Sequence, residues 1–316
     1  MMKAIMVSEP GGPEVLRLGE TEIPEPGPEE ALIRVLAAGV GPWDASLRSG
    51  RMPAPQWPYI PGGEFAGLIV GDTGADAAFE DGEPVYGYPG LTGCYAEYVT
   101  CPIEQLAPVP AGLDVTEAAA VPIAAIAADQ GLTDVLDVGS GDVVLITAVA
   151  GGVGHFAVQI ARALGAQVIG TASPQHHEFA HKLGASVVVD HTQPDWPDQV
   201  RTETGGGATR VLACARPTLP GAARAARDGA IIATPVVADD YPDGDRVHWQ
   251  KYNGQPSGSR LIRMAPWFDD GSLSVHIARR HYLADAAAAH REVELGHTRG
   301  KLLLIVDEDL AAQSGV

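Results

Sequence analysis

The chain has 316 residues, 46% hydrophobic and 19% charged, enough for a sizeable core and more than one small module needs, so about two domains are expected. Its 40 acidic side chains against 21 basic ones give a formal charge of −19, which repels phosphate backbones and anionic surfaces and sets nucleic acid and membrane aside as partners. Three cysteines, Cys94, Cys101 and Cys214, are too few for a disulfide framework or a four-cysteine zinc site, which makes a reducing cytoplasm the expected compartment. The opening MMKAIMVSEPGGPE lacks the apolar core of a signal peptide, and no stretch reaches the ~18 apolar residues of a spanning helix.

In chain order, the first third is rich in Pro and Gly and carries short strand-like runs: Ala31 to Ala38, Ala66 to Val70, and a further strand over Gly90 to Val99. Near Thr116 the pattern changes. TEAAAVPIAAIAADQGLTDVL reads as a helix capped by Asp114 or Thr116, with Pro122 as a kink. Strands then alternate with helices: strand Asp142 to Ala148, helix Gly152 to Leu164, strand Gln167 to Thr171, helix His177 to Leu183, strand Ser186 to Val189, strand Arg210 to Cys214, helix Leu219 to Arg227 and strand Ala230 to Ala233. That spacing predicts an α/β unit, a doubly wound parallel sheet with helices on both faces. A helix over Leu283 to Leu295 and a closing strand Lys301 to Val306 follow, and the closing strand can rejoin the first domain. The tail from Asp307 to Val316 is expected to be mobile.

The strongest local signal is VVLITAVAGGVGHFAVQIARALGAQVIGTAS, an apolar strand running into Gly151, Gly152 and Gly154 at the start of an amphipathic helix. Such a turn lets the backbone approach a pyrophosphate and aims helix amides at it; Ala150 and Val153 belong to the same turn. About 20 residues on, where an NAD site places an acid on the ribose hydroxyl, the chain reads Gly170-Thr171-Ala172-Ser173. The missing carboxylate favours NADP(H), with Thr171, Ser173, Lys182, His191 and His176 or His177 as candidate contacts. His177-Glu178-Phe179-Ala180-His181 fits HExxH, but no third ligand accompanies it, and no metal site is expected.

The segments MKAIMVSEPGGPEVL, AAGVGPWDASLRSG, YIPGGEFAGLIV, GCYAEYV, EAAAVPIAAIAA, AVAGGVGHFAVQIARALGAQVIGTAS and DAAAAHREVELGHTRGKLLLIV together resemble the zinc-independent quinone oxidoreductase branch of the medium-chain dehydrogenase/reductase superfamily. The resemblance implies a GroES-like β domain at 1–115 and 266–316, a Rossmann domain at 116–265, a cleft between them and a homodimer. Gly41 and Gly63 stand where zinc-using relatives carry Cys and His ligands, so the resemblance implies no catalytic zinc. It also implies hydride transfer from NADPH to the β-carbon of a conjugated enone or quinone, a small-molecule substrate.

Tyr59, Tyr88 and Tyr252 fall in segments expected to border the cleft, with Tyr59 and Tyr252 the candidate proton donors. Gly41, Trp43, Trp57 and Trp249 are candidate cleft residues, and Arg48 and Asp44 a candidate supporting pair. Three features depart from the family pattern: Gly41 in place of the usual Asn, Ala127 in place of a common Thr, and Ala213-Cys214-Ala215-Arg216 in place of a strand end with Asp. Val237 to Ser259 is expected to cap the site and set substrate choice. Two functions remain open: an NADPH-dependent reductase, such as one that tailors a polyketide, or a non-redox descendant that binds a ligand or catalyses cyclisation or isomerisation.

Overall fold

The computed structural model describes residues 1–54, 56–71, 79–238 and 240–307. The tail beyond Asp307 lies outside the described residues, as does Asp239 within the expected cap. The chain divides into two compact units: Met1–Ile123 with Pro256–Gly271 and the residues from Val275 onward, and Ala124–Gln255 with Ser272–Ser274.

The first unit is built on a mostly antiparallel sheet in the order Ile277–Tyr282, Lys301–Ile305, Glu30–Val40, Phe65–Val70, Pro84–Gly87, Leu106–Pro108, with Tyr98–Pro102 also paired to Glu30–Val40. The closing strand lies inside this sheet, Leu302 opposite Val40 and Ile305 opposite Ala37. Its alternate side chains meet Ile33, Val35, Phe65, Ile69 and Val85 in one buried core. Gly90 to Val99 is mostly irregular rather than a strand: only Tyr98 and Val99 join the sheet, while Thr92 and Ala96 make single bridges to Pro61 and Ala4.

The second unit carries a six-stranded parallel sheet in the order Val187–Asp190, Gln167–Ala172, Val143–Ile146, Ala208–Leu212, Ala226–Thr234, His248–Lys251. Numbered from Val143–Ile146 this is 3-2-1-4-5-6, the doubly wound arrangement whose order reverses between strands one and four. Val211, Ile232, Leu145 and Ile169 fill its core with Trp196 and the alanines of helix Leu219–Ala225.

The expected division at 116 and 265 differs from the observed one for a physical reason. Helix Val115–Ala118, capped by Asp114 accepting from Thr116 N and Glu117 N, packs on strands of the first sheet. Pro122 does not kink this helix; it starts a second one, Pro122–Gln130, as a residue without an N–H donor can. Helix Gly258–Asp269 also belongs to the first unit, where Tyr86 Oη donates to Leu261 O at 3.3 Å and Gly112 N to Asp269 Oδ1 at 3.0 Å. Periodicity marks where helices start, not where the chain changes packing partners. Among the described residues no helix is long and apolar enough to cross a membrane.

Candidate functional site

In the second unit the glycine turn follows the first strand, at the point where the strand order reverses. Ala148 takes a left-handed φ of 54°, and its carbonyl accepts from Gly151 N at 2.9 Å. Gly151 is the N-cap of helix Gly152–Ala163 and has no side chain to occupy the first-turn amides. A Cβ on Gly154 would stand 2.1 Å from Ala148 O, against 3.3 Å for one on Gly151. Gly154 is therefore the glycine that strand–helix contact requires. Ala150 is buried beneath the turn and Val153 half-buried at the helix start.

Thr171 is fully buried, and its hydroxyl accepts from Ala148 N at 3.2 Å. It braces the turn from below rather than offering a free group to a ligand. Ala172 and Asp190 pair in register, so Ser173 and His191, the next residues, leave the same sheet edge side by side. Ser173 makes no side-chain cap hydrogen bond, and His191 Nδ1 is buried without a hydrogen-bond partner. Lys182 is placed differently: it lies in the last turn of helix His177–Leu183 and pairs with Glu178 at 2.7 Å in solvent. That helix runs back from the carboxyl edge of the sheet, so the Lys182 backbone sits roughly 8 Å down it. In the HExxH segment His177 Nε2 meets Ala172 O at 3.2 Å and His181 Nδ1 meets Ala185 O at 2.8 Å.

Tyr252 Oη donates to Ala127 O at 2.7 Å, and burial, with Cys214 nearby, pushes its pKa well above the ordinary tyrosine value. In this arrangement the phenol braces the Ala127 carbonyl. Trp249 lies on the outermost strand, three strands from the glycine turn or roughly 14 Å. Its Nε1 donates to Pro242 O at 2.8 Å and its ring packs against Tyr241 at 5.1 Å. Trp249 and Tyr241 line a surface cavity of about 550 Å³ with Asp240, Gly244, Val247, His248 and Gln250. The expected cap is thus partly built into the sheet edge, because His248–Lys251 finds a parallel partner in Ala226–Thr234. At the altered strand end, Thr147 Oγ1 accepts from Cys214 N at 3.0 Å and from Thr218 Oγ1 at 2.8 Å.

In the first unit the strand Glu30–Val40 ends at Gly41, which caps helix Pro42–Arg48. A Cβ on Gly41 would lie 2.2 Å from the Trp43 indole; the indole occupies the space an Asn or Cys side chain would need. Gly63 is similarly enclosed, its Cβ position 2.9 Å from Gly90 O and from Ile123 Cδ1. Lys301 Nζ stands 4.7 Å from the centre of the Trp43 ring and donates to Glu64 Oε1 at 2.6 Å. Glu64 is fully buried, and its Oε2 accepts from Ile123 N at 2.8 Å. Asp44 Oδ2 accepts from Gly41 N at 2.8 Å, and burial raises its pKa to about 7 despite that bond.

Arg48 does not pair with Asp44. Its guanidinium donates to Glu294 at 2.5 Å and to Gly11 O at 3.1 Å. Tyr59 is buried with an unpartnered hydroxyl, its pKa pushed up to about 12 by burial and by Asp44. Tyr88 is likewise pushed to about 12, by burial with Glu64 and Asp44 nearby; Trp57 packs edge-on against Tyr59 at 5.1 Å. Sequence reasoning missed Glu64, Lys301, Tyr95 and His290. The available signal was a charge set among apolar neighbours, as in GGEFAGLIV and GKLLLIV.

Residues 152–234 match the family model described as "Zinc-binding dehydrogenase", and residues 27–111 match "Alcohol dehydrogenase GroES-like domain". A quinone oxidoreductase of Pongo abelii is 36% identical over 215 residues, 67% of this chain and 65% of that protein; the chain thus aligns with just under two thirds of this curated relative's length. A solved NAD-dependent alcohol dehydrogenase superposes with a TM-score of 0.88 at 32% identity, covering 97% of this chain and 100% of that one. A mycobacterial protein solved with NADPH gives 0.86 at 30% identity, with 96% and 100% covered. The zinc of the first family description finds no donors at Gly41 and Gly63, and among the described residues no three His, Cys, Asp or Glu side chains converge. A GroES-like unit, a doubly wound unit with its glycine turn and these matches lead to one conclusion: the chain belongs to the quinone oxidoreductase group of the medium-chain dehydrogenase/reductase superfamily.

Proposed function

We propose that the chain is an NADPH-dependent, zinc-independent reductase that delivers hydride to the β-carbon of a conjugated enone or quinone. The observation that carries this reading is the glycine turn at the reversal point of the 3-2-1-4-5-6 sheet, with Gly154 packed on Ala148 O and no acid at the end of the next strand. The first-turn amides of helix Gly152–Ala163 would hold the pyrophosphate, and Ser173 with the unpartnered His191 Nδ1 would meet a ribose 2′-phosphate. Bound nicotinamide supplies the hydride. Tyr59, whose high pKa keeps its proton in place, offers a hydrogen bond to the oxygen that gains charge. A conjugated acceptor needs no metal to delocalise that charge, which suits a unit whose Gly41 and Gly63 positions are filled.

We read the partner as a small molecule, such as a polyketide intermediate, and the working form as a cytoplasmic homodimer. The free thiols Cys94, Cys101 and Cys214 and the charge of −19 support that setting.

The test is a fluorescence titration with NADPH and NADH, followed by absorbance of the reduced nicotinamide in the presence of a quinone and enone panel. Ser173→Asp and His191→Asp are expected to weaken NADPH more than NADH, by about tenfold for one lost charge-assisted contact. Equal losses for both cofactors would overturn the phosphate assignment. Binding without oxidation by any acceptor would favour a non-redox role.

A further inference from the structure

Among the described residues of the first unit, the buried polar atoms that find no partner in strict hydrogen-bond geometry include Trp43 Nε1, Asp44 Oδ1, Tyr59 Oη, Tyr95 Oη and His290 Nε2. They form one neighbourhood. Asp44 acts electrostatically on both Tyr59 and Tyr95, Trp43 adjoins it in sequence, and the Tyr95 and His290 rings meet edge-on at 5.9 Å. The Tyr95 hydroxyl lies close enough to the Asp44 carboxyl for a side-chain hydrogen bond to act on the titration of both, although neither Tyr95 Oη nor Asp44 Oδ1 meets the stricter hydrogen-bond geometry with any partner.

Charge balance singles out Asp44. Facing it are Glu64 from the segment before strand Phe65–Val70, Lys301 from the closing strand, and Tyr59, Tyr88, Cys94 and Tyr95 from the connections between strands. Arg48 on its own helix, with His290 and Glu294 behind it on helix Ala286–Leu295, completes the surroundings. Lys301 is committed to Glu64 and Arg48 to Glu294. His290 adds no charge, because burial and Arg48 push its pKa down to about 3. Its Nδ1 lies 3.4 Å from Arg48, and since a guanidinium only donates, Nδ1 accepts and Nε2 carries the hydrogen. Asp44 is thus a buried carboxyl with no cation of its own, and such a group favours its neutral form.

We propose that Asp44 is a positioning residue that acts in its protonated form, holding the Gly41–Pro42–Trp43 turn through Oδ2 while Lys301 stays on Glu64. Loss of the proton creates a second carboxylate near the single ammonium, draws Lys301 from Glu64, and shifts the Trp43 indole beside it. The proposal rests on the reductase reading only for its activity readout.

The experiment compares wild type with Asp44→Asn, whose amide oxygen still accepts from Gly41 N while its NH₂ replaces the acid proton. Turnover at saturating NADPH and quinone is measured at about pH 6 and about pH 8.5, on either side of the value near 7. Wild-type turnover is expected to fall about tenfold or more over that interval, and the variant's less than about twofold. The same pH dependence in both proteins would overturn the proposal.

Two readouts do not need catalysis. The infrared difference spectrum between the two pH values should carry a protonated-carboxyl band in wild type that Asp44→Asn lacks. Wild-type tryptophan fluorescence, less that of Trp43→Phe, should change with the same midpoint, and this holds even if Asp44→Asn fails to fold. Absence of the band or of the fluorescence change overturns the proposal; both signals without quinone reduction would leave it standing and overturn the reductase reading alone.

Discussion

The glycine turn of the second unit and the polar cluster of the first fix atoms by opposite means. The turn removes side chains so that backbone meets backbone, with Gly154 held against Ala148 O. The cluster instead buries charge, with Glu64 and Lys301 joined at 2.6 Å and neither exposed to water. Steric closeness has little tolerance for added volume but is insensitive to pH; buried charge tolerates shape changes but depends on every partner and every proton.

The comparison breaks most sharply under two substitutions. Gly154→Val drives a side chain into Ala148 O and is expected to abolish NADPH binding while costing about 3 kcal/mol of stability, whereas Gly151→Ala, with 3.3 Å available, should retain both within about tenfold. Calorimetric titration beside a denaturation curve separates the cases. Lys301→Met leaves Glu64 buried and unpaired, for an expected loss of about 3–5 kcal/mol. Adding Glu64→Gln should recover much of it, and no recovery in denaturant midpoints would mean that the pair is not the source of the loss.

The pH dependence sharpens the contrast. The folded-state pKa of Asp44, about 7, exceeds the ordinary aspartate value of 3.8, so the folded protein binds the proton more tightly. Its stabilising contribution is full below about pH 4, declines as pH rises towards 7 and is gone above, a change of about 4 kcal/mol at most. Urea melts across that range should show the decline in wild type and not in Asp44→Asn. The smallest expected effect is that of Tyr252→Phe, which removes one neutral hydrogen bond to Ala127 O and should cost about 1 kcal/mol with turnover nearly unchanged. A large loss of turnover at unchanged stability would instead assign Tyr252 as the proton donor.

The two regions also differ in how readable they are from sequence. The turn lies within one contiguous run, and alternating strands and helices announce its sheet, so its place in the fold is legible. Even so, the choice between Gly151 and Gly154 required coordinates, as did the brace from Thr171, because both depend on one carbonyl's position. Lys182 lies on the segment that sequence spacing indicates, in the last turn of its helix and paired with Glu178. The cluster draws on positions 44, 64, 95, 290 and 301, which only the sheet brings together. Gly41 shows the limit most clearly. As a departure from the family pattern it reads as a lost polar group, and in the fold it is the space into which Trp43 turns. Gly90 to Val99 misled because its alternation suits a strand, whereas its residues make only isolated bridges before Tyr98.

The inner position of Lys301–Ile305 in the first sheet has a consequence for how the chain is made. During synthesis, strand Glu30–Val40 emerges well before Leu302 to Ile305 and cannot fill the edge that faces them until that strand too has left the ribosome. The second unit is almost contiguous, Ala124–Gln255, and its strands meet their neighbours much sooner. Domains fold as units when their segments are available, so the unit that begins the sequence is the one that finishes folding last.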